Sequence, residues 1–447
     1  MIRAAGSIVA IFFLYFFGLT RTGLIGPDEA RYAAIGRAMA ATGDWITPRL
    51  WGQPWFEKPA LLYWMTAAGF KLGLGTDLAP RLPVALASVA FLIYFFIVLR
   101  REFGDRAAWF AAAILATSAG WLVYSHVAIT DLPMSAAFAA AMLTISTANV
   151  RASLVAGLLL GLAILAKGLV PLVLFIPALW FLRHRIRDLV ILFSAALIVA
   201  APWYALATLR NGTPFLEDFF WKHHFGRFLS TTLQHGQPIW FYIPILLAGI
   251  FPWIPLLALL FNRQLYRDRR TQFLLAWFAW GFVFFSASRN KLPGYLLPLL
   301  PPLAALAGIA TAEARARSPK LMALLAASAA LLCFIPALSN ALPQALAAGF
   351  SRTPFHLATI WIVPALLIAI LAAVLEKTDH RDCAVAAVAV LTVVSVVTIV
   401  WRIYPRIDYQ LSGRSSHAES ITCLPPMNRS QRYSIQYYAG RNLPDCK

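Results

Sequence analysis

Long apolar runs alternate with short polar connectors from one end of the chain to the other. A helix crossing a hydrocarbon core of roughly 30 Å needs about 20 mostly apolar residues. Runs of that kind cover residues 4–20, 79–99, 107–124, 131–149, 152–166, 169–182, 187–208, 239–261, 271–287, 295–311, 320–338, 356–375 and 383–401. The pattern predicts an all-α, multi-pass membrane protein with about thirteen transmembrane helices. The runs at 152–166 and 169–182 are short, and one kinked region could hold both. Two long polar stretches, 21–82 and 209–238, interrupt the series. The reading divides the chain into a membrane domain, 1–401, and a small tail, 402–447.

Composition agrees with this reading: 60% of the residues are hydrophobic and only 13% charged, against about 25% charged in soluble domains. The formal net charge of +19 would suggest nucleic acid in a soluble protein, but here it has to be read loop by loop. The connectors "RREFGDR", "RHRIRD", "NRQLYRDRRTQ" and "EARARSPK" fall on one side, which the positive-inside rule makes cytoplasmic, together with the amino terminus. Residues 21–82, 209–238, "SRNKLPG" and the tail then face outward. These outer stretches are also rich in Lys and Arg, which suits a bound anion. The first run follows Arg3 and lacks a small-residue cleavage site, so it reads as an uncleaved anchor. Cys423 and Cys446 lie in the outer tail, where they either pair or stay free.

The chemistry gathers in the outer loops. In "GPDEARYAAIGRAMAATGDW" the spacing predicts a helix over 28–42 lying on the membrane surface and ended by Gly43, with Tyr32, Ile35 and Met39 on one face. A second amphipathic helix is predicted to start at Pro59, leaving Glu57 and Lys58 at its amino end, where free N–H groups favour anions. Asp28 and Glu29 sit where the apolar boundary and nearby Arg31 act on a carboxylate in opposite directions, as at acid–base sites; the alternative is two acids capping a helix. Lys167 either serves a cavity or snorkels to headgroups, and Arg227 and Arg289 either grip phosphate or anchor helices. His224, beside His223, could hold a divalent ion with Glu57 or act as a hydrogen-bonding interfacial residue; no His-x-x-x-His or cysteine cluster supports zinc. "GLLLG" at 157–161 offers a small-residue helix contact. "RYSIQYYAGRNLPDC" predicts an alternating strand and a turn.

The stretch "GPDEARYAAIGRAMAATGDWITPRLWGQPWFEKPALLYW", with "AILAKGLVPLVL", "HHFGRFL", "QPIWFYIPILLAGIFPW" and "SRNKLPGYLLPLLPPLAAL", resembles the bacterial lipid A aminoarabinose transferases. It also resembles their wider relatives, the polyprenyl-phosphate-dependent GT-C glycosyltransferases that include protein mannosyltransferases. The resemblance covers most of residues 1–310. It implies a GT-C fold in the bacterial inner membrane with a periplasmic site. It implies Asp28 as the catalytic acid residue with Glu29, and Arg31 and Tyr32 shaping the site. Glu57 would touch metal or acceptor, Lys58, Lys167, Arg227 and Lys291 would bind the donor phosphate, and Asp131 and His224 would contact substrate. The implied donor is 4-amino-4-deoxy-arabinose or another aminosugar on undecaprenyl phosphate, and Glu29, Asp44 or Asp131 could meet the amino group. The implied acceptor is lipid A or a related envelope lipid; membrane lipids surround the chain, and no nucleic acid partner is expected. No cofactor is required, with a divalent metal left open. The small tail departs from those enzymes, which carry a larger soluble domain. Transfer of a neutral hexose to protein or glycan is one rival. Lipid or sugar transport is another, but it predicts internal repeats and mid-span acids, and neither is visible.

Overall fold

The computed structural model describes residues 2–145, 149–219, 221, 236–349, 353–354, 362–416 and 420–446. Nearly all of the described chain is helical, because a backbone immersed in lipid can satisfy its N–H and C=O groups only within the segment or in a closed barrel. The only sheet among the described residues is a two-residue hairpin, β1 (Arg49–Leu50) with β2 (Gln53–Pro54).

The first half runs α1 (Ile2–Ile11), α2 (Glu29–Thr42), α3 (Leu61–Lys71), α4 (Gly75–Phe103), α5 (Asp105–Thr117), α6 (Ala119–Ser125), α7 (Asp131–Ile145), α8 (Val150–Lys167), two short helices α9 (Val170–Leu174) and α10 (Ile176–Leu182), and α11 (Ile186–Asn211). Among the described residues, five helices are long and apolar enough to cross a membrane, or up to eight if each bent pair counts as one span. The pair α5 and α6 bends by 60°, and Ile239–Ile250 with Ile254–Phe261 by 113°. The protein is a multi-pass membrane protein.

Burial separates lipid-facing from internal helices. In Pro293–Glu313, 89% of the most apolar window is enclosed, whereas in α11 and in Arg381–Arg402 the share is 28%. Leu197, Ile198 and Leu209 stand exposed on α11, on a surface that would be an aggregation liability in water but matches acyl chains. The opposite face of α11 packs on α8 through small residues. A Cβ built on Gly157 would lie 2.2 Å from the Leu192 carbonyl oxygen, and one on Gly161 2.8 Å from that of Ala196. Backbone approach of this closeness is what small residues contribute where no hydrophobic effect drives helix association.

Three local expectations need correction. The helix over 28–42 forms and ends at Gly43 in the left-handed conformation, but it does not lie on a surface: Ala30 to Gly36 are all buried, because α3, β1 and the tail pack around it. The second helix starts at Leu61 with Ala60 at its N-cap, so Pro59 and the Glu57–Lys58 pair sit in the bend before it. The tail segment read as a strand is a helix, Arg429–Ala439. Its Tyr residues fit a period of two and a spacing of four equally well, and the caps decide: the Asn428 side chain accepts the Gln431 N–H, and Gly440 closes the end at φ 72°.

Gly157→Leu is expected to destabilise the protein by about 1–3 kcal/mol, because the backbone of α11 cannot move away from an added side chain. Gly6→Ala, with nothing within 4 Å of the added carbon, should stay within about 0.5 kcal/mol. Thermal midpoints in detergent check both.

Candidate active site

The stretch leading into α2 is a loop whose backbone groups need partners from elsewhere. Arg81, buried in the first turns of α4, supplies them. Its guanidinium donates to the carbonyls of Leu19 (2.7 Å), Thr22 (2.6 Å) and Gly23 (2.9 Å), and grips the Glu29 carboxylate with two bonds of 2.7 and 2.8 Å. Glu29 also accepts the N–H groups of Ile25 and Ala128, both at 3.0 Å. Both of its oxygens are therefore committed to a buried network, and Glu29 stands at 1% exposure. Asp28, next to it, does not cap the helix: its side chain makes no cap bond, stays 45% exposed and pairs with Arg31. The two adjacent acids thus occupy opposite environments.

Arg31 is the bridge to the second half of the loop. It reaches Glu57 at 2.8 Å, and Glu57 in turn stands 3.7 Å from Lys58. Its guanidinium lies between the rings of Trp55, Tyr32 and Tyr433, at 5.2, 5.3 and 5.4 Å. Arg31 Nε and Nη1 are buried with no hydrogen-bond partner among the described residues; the ring faces take their place. Burial opposes the charge on Arg31, but Glu57, followed by Tyr32 and Asp28, outweighs it, and the group is held above the ordinary arginine range. Burial pushes the Tyr32 and Tyr63 phenols well up, and Glu57 adds to it.

A second ion pair sits on the helix ends. Asp131 opens α7 and meets Lys167, the last residue of α8, at 2.5 Å; the ammonium lies 4.7 Å from the Tyr295 ring centre. Tyr124 and Asp131 both border Gly294. Gly294 makes the room: a Cβ there would lie 2.5 Å from Asp131 Oδ1 and 2.8 Å from the Tyr124 hydroxyl.

The other sequence expectations are placed differently. Lys291 is buried and donates to the carbonyls of Gln237 (3.2 Å) and Ser288; burial pulls its ammonium below the usual lysine range. Arg289 is exposed. Asp44 accepts the N–H groups of Ile46 and Thr47 and pairs with Arg210 at 2.9 Å, which fastens the loop to α11. Cys423 and Cys446 are joined. Arg227, His223 and His224 lie outside the described residues. Those residues therefore offer a metal only Glu57 from the expected pair, and no cluster of three or more metal-binding side chains occurs among them. Sequence reading missed Arg81, Trp55, Tyr433, Tyr124 and Tyr295. Arg81 alone carried a signal, a charge between Pro80 and Pro83 at the start of an apolar run, where an unpaired cation is costly.

Glu29→Gln or Arg81→Met should each cost about 3–5 kcal/mol, because each strands a buried partner charge. The double variant should lose less than the sum. Thermal midpoints in detergent give the coupling.

Comparison with known proteins follows this geometry. Residues 57–208 match the dolichyl-phosphate-mannose-protein mannosyltransferase family. An undecaprenyl phosphate-alpha-4-amino-4-deoxy-L-arabinose arabinosyl transferase 2 of Pseudomonas fluorescens is 34% identical, the match covering 68% of this chain and 55% of that one. A transferase of Serratia proteamaculans described without the numeral is 33% identical over 82% of this chain and 69% of its own. The chain spans between 55% and 59% of the length of the first relatives it matches. The crystal structure of ArnT from Cupriavidus metallidurans bound to undecaprenyl phosphate superposes with a TM-score of 0.79 at 27% identity, covering 98% of this chain and 85% of that one. EmbB from Mycobacterium smegmatis, at 15% identity and a TM-score of 0.53, shares the fold alone. The chain belongs to the family of the undecaprenyl phosphate-aminoarabinose arabinosyl transferases.

Proposed function

We propose that the chain is a glycosyltransferase that moves 4-amino-4-deoxy-L-arabinose, or another aminosugar, from undecaprenyl phosphate to lipid A or a related envelope lipid, with inversion at the anomeric carbon. The observation that carries the reading is the half-exposed Asp28, fixed through buried Arg31 to Glu57 and Lys58. The likeness to a structure holding undecaprenyl phosphate supports the donor. In this reading the amino terminus is cytoplasmic, the chain crosses the inner membrane about thirteen times, residues 1–401 form the catalytic membrane domain, and the loops 21–82 and 209–238 and the tail are periplasmic.

The bond that breaks joins the sugar's anomeric carbon to the lipid phosphate oxygen, and polyprenyl phosphate leaves with the electron pair. Charge then grows on that phosphate. Lys58 and Lys167, with Arg227, stabilise it, and fixed charges of this kind usually give the largest share of catalysis. Asp28 acts from the opposite face. It accepts the proton of a hydroxyl acceptor, or orients an acceptor phosphate that is already anionic. Asp131, at the start of α7, meets the amino group of the sugar. Glu29 contributes by fixing the loop through Arg81. Lys291, turned to backbone carbonyls, joins the donor phosphate only by exchanging those partners. His224 completes the substrate contacts. If Glu57 and His224 hold a divalent ion, it would supply charge at the phosphate; no step here depends on it.

Asp28→Asn should lower transfer by about 10²- to 10⁴-fold, while the protein stays folded and still binds undecaprenyl phosphate. Radiolabelled sugar transfer in proteoliposomes measures the first, and donor-dependent thermal shift the second. Transfer at the unmodified rate would overturn the proposal. Mass spectrometry of lipid A should show an aminopentose increment on phosphate in cells that carry the chain.

A further inference from the structure

The tail is far smaller than a domain, yet its hydrogen bonds converge on one place. Asp408 Oδ1 accepts the Gly23 N–H at 2.6 Å. The Tyr438 hydroxyl accepts the Leu24 N–H at 2.8 Å and donates to Asp77 at 2.5 Å. Ser434 Oγ donates to the Leu24 carbonyl at 2.6 Å and accepts the Gly413 N–H at 2.8 Å. Arg414 donates to the carbonyls of Thr20 and Arg21 at 2.8 and 3.2 Å, and pairs with Asp77 and Asp408. These contacts complement those of Arg81, so the peptides from Leu19 to Leu24 are held on one side by α4 and on the other by the tail.

Close approach makes the contact specific. A Cβ on Gly23 would lie 2.1 Å from Ser412 Oγ and 2.6 Å from the Tyr438 hydroxyl, so only glycine lets the tail dock there. The tail helix also reaches the site itself, through the Tyr433 ring beside Arg31. The two ends of this helical segment are closed on each other: Cys423 is bonded to Cys446, and next to that link Leu424 N–H donates to the Pro444 carbonyl at 2.8 Å and Cys446 N–H to that of Leu424 at 2.9 Å.

We propose that Asp408, Ser434 and Tyr438 are positioning residues for the reaction at Asp28, and that the Cys423–Cys446 link holds the helix that carries the last two. The proposal rests on the transferase reading above. The tail holds the backbone four to eight residues before Asp28 and forms one wall of the Arg31 site, so it governs how often the carboxylate is correctly placed, and these contacts touch neither Lys58 nor Lys167.

The test uses the full chain in lipid nanodiscs. In Tyr438→Phe, which removes one hydroxyl and leaves the ring, amides of residues 20–28 should exchange with deuterium roughly tenfold faster. Turnover should fall roughly tenfold, with KM for the donor changed less than about twofold. Dithiothreitol added to the unmodified protein should act in the same direction; it needs no variant to fold, and it acts on the Cys423–Cys446 link alone because Cys333 and Cys383 are already free. Unchanged exchange, or faster exchange with full turnover, would overturn the proposal while leaving the transferase reading intact. Absence of any transfer by the unmodified, oxidised protein would overturn both.

Discussion

The buried pair of Glu29 and Arg81 is the constraint on which the site depends. A guanidinium removed from water needs its charge matched and its N–H groups satisfied. Arg81 achieves this by taking one carboxylate and three carbonyls from a single loop. The loop in turn gains partners for peptide groups that no helix or strand would satisfy. One acid of the adjacent pair is consumed in building the loop, and the other is left half-exposed and paired with Arg31.

Beyond that pair, the clusters share a logic. Lys58 faces Glu57, and Lys167 faces Asp131, so two of the cations expected to meet a phosphate already have a carboxylate at hand, while Lys291 has backbone carbonyls instead. Such pairing lets a cation sit near hydrocarbon without being stranded there. It also means that an incoming anion competes with a resident one, and binding becomes an exchange of partners. Aromatic faces widen the choice, since Arg31 and Lys167 both rest near rings, which tolerate rearrangement better than a fixed carboxylate does.

Much of this was legible in the sequence, for physical reasons. Apolar runs have to become helices in lipid, and the ranges read from hydropathy hold helices wherever the chain is described, although 169–182 breaks into α9 and α10 and 239–261 bends sharply. The acidic motif, Glu57–Lys58 and Lys167 stand out because charge is rare here and therefore informative, whereas Asp131 is reached only through the resemblance and nothing in the sequence pairs it with Lys167. What failed was anything set by long-range packing. Helix α2 was read as a surface helix because its composition is mixed, yet the tail covers it. The tail helix was misread because its caps compete with an alternating pattern. Arg81 shows in the sequence only as a charge beside an apolar run; its partners, the Glu29 carboxylate 52 positions away and three backbone carbonyls, leave no trace in a residue code.

The docking of the tail on the first loop joins parts of the chain 385 and 414 positions apart. During synthesis the loop leaves the ribosome long before the residues that complete its surroundings. The membrane helices can insert in order, but the peptides around Gly23 and Leu24 must wait for Asp408, Ser434 and Tyr438 to arrive. The surroundings of the loop beside Asp28 are therefore completed by residues made hundreds of positions after it.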